Sequence, residues 1–274
     1  MEKEKILKKK SLGQHFLHSA HYLEAVANAA GIKKGSAVLE IGPGDGALTA
    51  VLLAAGAKVT AVEKDRRLIP VLQEKFAKEI KSKQLTVVET DALEFEPTFA
   101  AGKYTVVGNI PYYITGALIR KYLTVPKQPN TLVFLIQKEV AERITNHGAA
   151  SKNPKESILS LSVQAYGTPK YVTTVPRGAF VPPPKVDSAI LAVSGVSRSN
   201  FTHSASLRAS KNMEEHFFEL VKAGFGQKRK FLKRNLENTL GKNTSEAFIK
   251  AGIAENARAE DVVLEKWLRL SSFS

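Results

Sequence analysis

The chain has 274 residues, 43% of them hydrophobic, so it can bury a substantial core in one large domain and a smaller one. No apolar run reaches the roughly 18 to 20 residues of a membrane-spanning helix, and the lysine-rich start lacks the hydrophobic segment of a secretory signal. The absence of cysteine excludes a disulfide framework, a thiolate metal site and a cysteine nucleophile. We therefore expect a cytoplasmic protein that holds no metal.

The charge of the chain indicates its class of partner. Lys and Arg outnumber Asp and Glu by 40 to 26, which gives a formal net charge of +14 and favours a polyanionic partner. The basic residues cluster at Lys8–Lys10 and Lys228–Arg234 without a long lipid-facing helix, so nucleic acid is favoured over a membrane. The alternative is a basic surface that is only solvated.

From about Gly35 to Val193, short β-rich runs alternate with helical stretches, which predicts an α/β fold with a doubly wound, Rossmann-like sheet. The last two strands follow one another without a long helix, which predicts an antiparallel pair at the sheet edge. The predicted strands are Ala37–Ile41, Lys58–Glu63, Leu85–Glu89, Tyr104–Gly108, Leu132–Gln137, Tyr171–Val175 and Ser188–Ser194. The predicted helices are Ala47–Ala55, Leu68–Ile80, Thr115–Leu123, Val140–Thr145 and Ile158–Tyr166.

The end of the chain is predicted to form a small α-helical domain. We expect a first domain of residues 1–195, a serine-rich linker of 196–211 and a basic helical domain of 212–274. Its predicted helices are Glu214–Ala223, Lys228–Leu240, Ser245–Ala251 and Ala259–Leu270. The second of these carries five basic residues beside a predicted core stripe of Phe231, Leu232 and Leu236, and we expect its charges to contact RNA phosphates.

A glycine-rich turn follows the first predicted strand, with the pattern Glu40-x-Gly42-x-Gly44-x-Gly46. Glycines here let the backbone turn sharply and lie against a ligand. A site for a dinucleotide has the spacing G-x-G-x-x-G and places a pyrophosphate at the helix start, where Glu40 and Asp45 would repel it. These acids suit a cationic cofactor such as S-adenosylmethionine, and the pattern resembles the first motif of class I methyltransferases that use it.

Two further acids stand at the ends of the next strands. Glu63 closes the second strand, about twenty residues on, where a carboxylate can accept both hydroxyls of a ribose. Asp91-Ala92 follows the third strand and resembles the methyltransferase motif whose Asp accepts a hydrogen bond from the cofactor's adenine amine. Taken singly, Glu63 could be a surface acid and Asp91 a helix N-cap.

The sequence Asn109-Ile110-Pro111-Tyr112 leaves the fourth strand beside this crevice. An exocyclic amine on a base is a poor nucleophile because its lone pair is delocalised into the ring. The Asn109 side-chain oxygen and the Ile110 carbonyl can accept hydrogen bonds from such an amine and turn its lone pair towards a methyl group. Pro111 fixes the turn, and Tyr112 offers a face on which the base can stack. The alternative is a structural strand-to-helix turn.

Eight segments together resemble the ribosomal RNA adenine N6-dimethyltransferases, and among them the bacterial small-subunit (16S) branch. They are KKSLGQHFL (9–17), EIGPGDGALT (40–49), VEKD (62–65), DAL (91–93), GNIPYYI (108–114), QKEVAERI (137–144), FVPPPKVDSAI (180–190) and FGQKRKFLKRNL (225–236). The resemblance implies S-adenosylmethionine contacts from Gln14, His15 and Leu17 in addition to the residues above. It also implies that Phe180 stacks on the flipped adenine, opposite Tyr112.

The resemblance implies an enzyme that dimethylates the N6 amines of two adjacent adenines in a hairpin near the 3′ end of small-subunit rRNA. Its expected partner is this rRNA within a ribosomal subunit or assembly intermediate, and we expect a monomer without an obligate protein partner. One alternative is a large-subunit (23S) rRNA methyltransferase that confers macrolide resistance. Another is a methyltransferase-like factor that only binds nucleic acid.

Overall fold

The computed structural model describes residues 15–148, 154–202 and 207–273. These residues form two compact units, one of residues up to 141 together with 169–196, and one of 142–168 together with 197 onwards. No helix in the described ranges is both long and apolar enough to cross a membrane.

The sheet of the first unit has seven strands, and its predicted α/β class is confirmed. Up to the sixth strand, the elements of the first unit in chain order are β1 (Phe16–Leu17), α1 (Ala20–Ala29), β2 (Ala37–Ile41), α2 (Ala47–Ala54), β3 (Lys58–Glu63), α3 (Ile69–Lys75), α4 (Ala77–Lys81), β4 (Leu85–Glu89), β5 (Tyr104–Asn109), α5 (Thr115–Thr124) and β6 (Thr131–Gln137). Three strands follow, β7 (Thr168–Val175), β8 (Phe180–Val181) and β9 (Ser188–Ser194), of which β8 pairs with β1 outside the main sheet.

The strand order places a crevice at the middle of the sheet. The order is β4-β3-β2-β5-β6-β9-β7, with β9 antiparallel to β6 and the first five strands parallel. The chain proceeds from β2 outwards to β4 and then returns to place β5 on the other side of β2. Because adjacent crossovers then lie on opposite faces, the carboxyl ends of β2 and β5 border the crevice in which such sheets bind ligands.

The seven main strands are those that the sequence predicts, because the central ones are apolar on both faces. In β6 and β9 every residue except the last is buried, as expected of strands covered on both sides. The observed strands extend the predicted bounds to Thr131, Asn109 and Thr168. β7 and β9 are neighbours at the sheet edge, as predicted.

Three features of the first unit differ from the predictions. The predicted helix Leu68–Ile80 is broken at Phe76, whose φ of −117° and ψ of 31° end α3 and precede α4. The Phe76 ring is buried there, close enough that a Cβ at Gly46 would lie 2.5 Å from it. Helix α1 and the β1–β8 pair were not predicted at all.

The second unit is helical, and its bounds differ from those predicted for the C-terminal domain. It includes residues 142–168, which were predicted in the first domain, and residues from 197 onwards, most of the predicted linker among them. Its helices are α7 (Ile158–Tyr166), α8 (Leu207–Gly224), α9 (Leu232–Leu240), α10 (Thr244–Ala251) and α11 (Leu264–Ser271), while α6 (Lys138–Thr145) spans the boundary between units. Helix α7 belongs here because Tyr166 packs against Phe201 and Phe218. Helix α8 begins inside the predicted linker, and the predicted helix at 259–270 forms a 3-10 turn before α11.

Candidate active site

A pocket of about 1090 Å³, counting the open space at its mouth, lies at the carboxyl ends of the strands in the first unit. Segments from five places in the chain meet there: β1, the glycine turn after β2, the end of β3, the residues after β4, and the end of β5. Among the predicted site residues, those that line the pocket are His15, Leu17, Glu40, Gly42, Gly44, Glu63, Asp91, Ala92, Asn109, Ile110, Pro111 and Tyr112. Gln14 lies outside the described residues.

The glycine turn is shaped by close approach of the N-terminal strand. Gly44 has a φ of +62°, and a Cβ at this position would lie 2.7 Å from Cε1 of Phe16. Glycine therefore fits this position, because it adopts the positive φ without strain and leaves room for the Phe16 ring against the turn. The Gly44 backbone N–H in turn donates to Oε2 of Glu63 at 3.2 Å, which ties the turn to the end of β3.

Glu40 is the most deeply buried acid of the pocket, with 1% of its surface exposed. Its Oε2 accepts a hydrogen bond from the Thr49 hydroxyl at 2.7 Å, while its buried Oε1 has no partner. Burial is the largest cause that raises the pKa of Glu40 to about 8; the Glu63 and Asp45 carboxylates act in the same direction, and Thr49 and Lys75 oppose it. A buried acid with an unpaired oxygen is stabilised as a carboxylate when a cation enters the pocket.

Glu63 is held in place by backbone donors. Its Oε1 accepts from the Asp65 N–H at 2.8 Å, and its Oε2 from Gly44. Burial raises the pKa of Glu63, and these hydrogen bonds oppose that shift. Since each carboxylate oxygen has two lone pairs, both oxygens keep the capacity to accept from a ribose hydroxyl. The backbone donors therefore fix the direction in which Glu63 meets a ligand.

Asp91 forms an ion pair that sequence reasoning did not find. Its Oδ2 lies 2.6 Å from Nζ of Lys64, and its Oδ1 accepts from the Leu93 N–H at 2.9 Å. The Lys64 hydrogen bond is the main reason that the pKa of Asp91 is lowered. Lys64 also lines the pocket. The only sequence signal was its place between Glu63 and Asp65 at the end of β3.

The turn after β5 presents two hydrogen-bond acceptors to the pocket. Asn109 Nδ2 donates to the backbone carbonyl of His15 at 2.7 Å, which fixes the orientation of the side-chain amide. No donor among the described residues bonds the other amide atom, Oδ1, or the carbonyl oxygen of Ile110. These are the two acceptors that the sequence predicts for an exocyclic amine.

Tyr112 is anchored beside this turn. Its hydroxyl is hydrogen-bonded to the Ser188 hydroxyl at 2.7 Å, and its ring lies 6.3 Å from that of His15 at an interplanar angle of 26°. His15 is itself bonded through Nδ1 to the Pro182 carbonyl at 2.8 Å. The ring of Tyr112 is thus held at a fixed angle in the pocket wall.

The structure does not bring Phe180 to the pocket, which departs from the role that the family resemblance implies. Phe180 pairs with Leu17 across the β1–β8 ladder, and only 2% of its surface is exposed. Its ring belongs to the hydrophobic core beneath β1. Of the two expected stacking residues, Tyr112 alone lines the pocket.

The basic cluster of the second unit lies in a turn and not on a helix. The predicted helix Lys228–Leu240 begins at Leu232, so Lys228, Arg229 and Lys230 are exposed residues of the α8–α9 turn. Asn235 supports the turn by donating through Nδ2 to the Gly224 carbonyl at 2.6 Å. The turn presents three adjacent cations to solvent.

Two residues near this turn differ from the predicted pattern. Lys233 is ion-paired with Glu255 and contributes less free charge than expected. Phe231, predicted in the core stripe with Leu232 and Leu236, is 52% exposed, whereas both leucines are buried. Phe231 precedes the helix, so it does not share the helical spacing on which the predicted stripe depends.

Comparison with known proteins identifies relatives along nearly the whole chain. The model of the family described as ribosomal RNA adenine dimethylase matches residues 6–274. Ribosomal RNA small subunit methyltransferase A of Dehalococcoides mccartyi is 38% identical over 98% of this chain and 89% of its own. The protein of the same name from Bacillus pumilus is 38% identical over 96% of this chain and 90% of its own.

Solved structures show the same architecture. The 23S rRNA methyltransferase ErmE superimposes with a TM-score of 0.73 and 28% identity over 94% of this chain and 98% of its own. A dimethyladenosine transferase from Plasmodium falciparum gives a TM-score of 0.73 with 27% identity over 93% of this chain and 96% of its own.

We predict that cofactor binding releases a proton from Glu40. Since the pKa of Glu40 is about 8 without a ligand, the side chain is mostly neutral at pH 7, and a bound cation favours its charged form. The affinity for S-adenosylmethionine should therefore rise with pH and level off above about pH 8. Calorimetry in buffers of different ionisation enthalpy measures the released proton.

The matched control is Glu40→Gln, which keeps the shape and the Thr49 contact but cannot titrate. Its affinity should lack the Glu40 component of the pH dependence, while the ligand's own titration is common to both proteins. Equal proton release by the wild type and by Glu40→Gln would contradict the prediction.

Proposed function

Because this chain belongs to the ribosomal RNA adenine dimethylase family, we propose that it dimethylates N6 of two adjacent adenines in a hairpin near the 3′ end of small-subunit rRNA. The single observation that carries the proposal is a pair of hydrogen-bond acceptors, Asn109 Oδ1 and the Ile110 carbonyl oxygen, in the wall of an acidic pocket. Neither accepts a hydrogen bond from another described residue. The curated relatives reported above are named for the small subunit, which favours it over the large-subunit alternative.

We further propose that the substrate is a ribosomal particle. A formal net charge of +14 suits a partner built on phosphate, and the exposed Lys228, Arg229 and Lys230 offer adjacent contacts to it. If the substrate is a small-subunit particle, the expected place of the activity is the cytoplasm, and we propose that the protein acts there as a monomer.

The pocket fits S-adenosylmethionine, whose sulfonium supplies an electrophilic methyl group when it is bound. Glu40 supplies a buried acceptor without a partner, which suits the positive charge of the ligand. Glu63 is aimed by its backbone donors to accept hydroxyl groups, and Asp91 is held ionised by Lys64 to accept from an amine. Gly42 and Gly44 line the pocket without side chains, so the backbone of the turn itself can contact a ligand.

The catalytic turn activates the amine by position. Asn109 Oδ1 and the Ile110 carbonyl accept its two N–H bonds, so that the lone pair no longer overlaps the ring and points into the pocket. The hydrogen bond between the hydroxyls of Tyr112 and Ser188 fixes the Tyr112 ring, and the base stacks on this ring. The amine becomes acidic once it is methylated, so its proton can leave to solvent without a strong general base. In this scheme the protein accelerates the reaction by orienting the amine and by electrostatic stabilisation of the transition state.

The alternative of a binding factor without activity is not favoured. A protein that only binds nucleic acid has no need of the buried, costly Glu40 or of the fixed Glu63 and Asp91. All of them line one pocket with Asn109. A second role in subunit assembly is compatible with the proposed activity, since the basic turn and the pocket use different residues.

The experiment that tests the function uses separate small- and large-subunit particles from a strain that lacks this modification. Incubation with methyl-labelled S-adenosylmethionine, followed by mapping of modified bases, should give N6,N6-dimethyladenine at two adjacent positions near the 3′ end of small-subunit rRNA. Label in large-subunit rRNA alone would support the alternative, and absence of label in both particles would overturn the proposal.

We predict that the basic turn controls the affinity for particles. Reversal of Lys228, Arg229 and Lys230 to Glu should weaken particle binding and reduce its slope against log salt by roughly one for each phosphate that the turn no longer neutralises. S-adenosylmethionine affinity should not change. Binding measured at several salt concentrations tests this.

A matched control reverses Lys78, Lys81 and Lys83, three exposed lysines of the first unit, so that the change in net charge is the same. If both triple variants lower particle affinity and salt slope equally, the effect comes from net charge alone and the turn has no specific role.

A further inference from the structure

Two consecutive tyrosines line the pocket in different ways. Tyr112 is anchored by Ser188 and lies beside His15. The side chain of Tyr113 is 69% exposed, makes no hydrogen bond or ring contact within the described residues, and interacts electrostatically with Lys64. Single exposed apolar side chains are ordinary on protein surfaces. Tyr113 differs from these because it lines the pocket that holds the proposed reacting amine.

The backbone of Tyr113 belongs to an ordered turn, although the ring is exposed to solvent. Pro111 has a φ of −57° and leads into a 3-10 turn over Tyr112–Ile114. Helix α5 follows at once from Thr115, which is buried. The ring of Tyr113 is therefore presented from an ordered turn, so contact with a ligand orders the side chain but not the backbone.

A base that enters the pocket leaves its neighbours unstacked. An enzyme that acts on a base must take it out of the stack, which removes the stacking contacts on both of its sides. An aromatic ring at the pocket mouth can replace one of these contacts, because every base has a face on which a ring can stack. Tyr112 is placed to stack on the reacting base, and the exposed ring of Tyr113 is available to a second base at the mouth of the same pocket.

We propose that Tyr113 is a substrate-binding residue whose ring stacks on the nucleobase adjacent to the adenine held at Asn109. The inference depends on the proposed function, since that function supplies an RNA base to the pocket. If the two target adenines are adjacent, the base on Tyr113 during each transfer is the other adenine of the pair or its next neighbour. Tyr113 then contributes to recognition of the pair without touching the reacting amine.

The test compares Tyr113→Leu, which removes the aromatic face, with Tyr113→Phe, which keeps it. Steady-state methylation of unmodified small-subunit particles is measured beside S-adenosylmethionine binding by calorimetry. Tyr113→Leu should raise KM for particles roughly 5- to 150-fold, the range expected for removal of one base–aromatic stack, with a smaller change in kcat. Tyr113→Phe should resemble the wild type, and cofactor affinity should be the same in all three proteins.

Ile249→Ala is the control for loss of an exposed apolar side chain, because Ile249 is 79% exposed on α10, does not line the pocket and is not part of the basic α8–α9 turn. It should leave KM unchanged. Wild-type KM in Tyr113→Leu, or an equal loss in Tyr113→Phe and Tyr113→Leu, would overturn the stacking role. A parallel loss of cofactor affinity in Tyr113→Leu would assign the ring to the cofactor instead. If the wild type itself does not methylate the particles, the proposed function fails, and this inference fails with it.

Discussion

The hydrogen bond from Asn109 Nδ2 to the His15 carbonyl is the contact on which the proposed active site depends. It joins the carboxyl end of β5 to the residue that precedes β1, and the two bonded residues are 94 positions apart in the chain. Because the amide nitrogen is used in this bond, Oδ1 is left as an acceptor for the substrate. His15 directly precedes β1, which is positioned by its ladder with β8 and by the packing of Phe16 against Gly44.

Acidic and basic side chains are concentrated in different parts of this protein, and each group suits a different ligand. Acids are concentrated in the pocket, where Glu40 and Glu63 are nearly free of solvent, and a cationic ligand reduces the cost of burying them. The net positive charge is carried elsewhere, with three adjacent cations exposed in the α8–α9 turn. The pocket therefore suits a small cation and the surface suits a polyanion. On the proposed function, the long-range attraction of the RNA depends on salt more than cofactor binding does.

The sequence predicts the sheet and most of the pocket because both follow from local patterns. Apolar runs identify the seven strands. Parallel strands bring their carboxyl ends to one edge of the sheet, and with them Glu40, Glu63, Asp91 and Asn109. The family inferred from the motifs is confirmed by the match over residues 6–274. The β1–β8 pair, the burial of Phe180 and the Lys64–Asp91 ion pair depend on contacts between distant residues, so no local pattern reveals them. Helix α1 had a usable signal in the spacing of its buried Leu23, Val26 and Ala27.

The central claim is that the donor half of the Asn109 amide orients its acceptor half, and Asn109→Asp tests it most directly. The aspartate keeps the acceptor oxygens but, when ionised, cannot donate to the His15 carbonyl. Single-turnover methylation at saturating S-adenosylmethionine and particle should therefore fall on the order of a hundredfold or more, while particle affinity is retained because most of it comes from phosphate contacts. A folded Asn109→Asp protein that methylates at the wild-type rate would contradict the account.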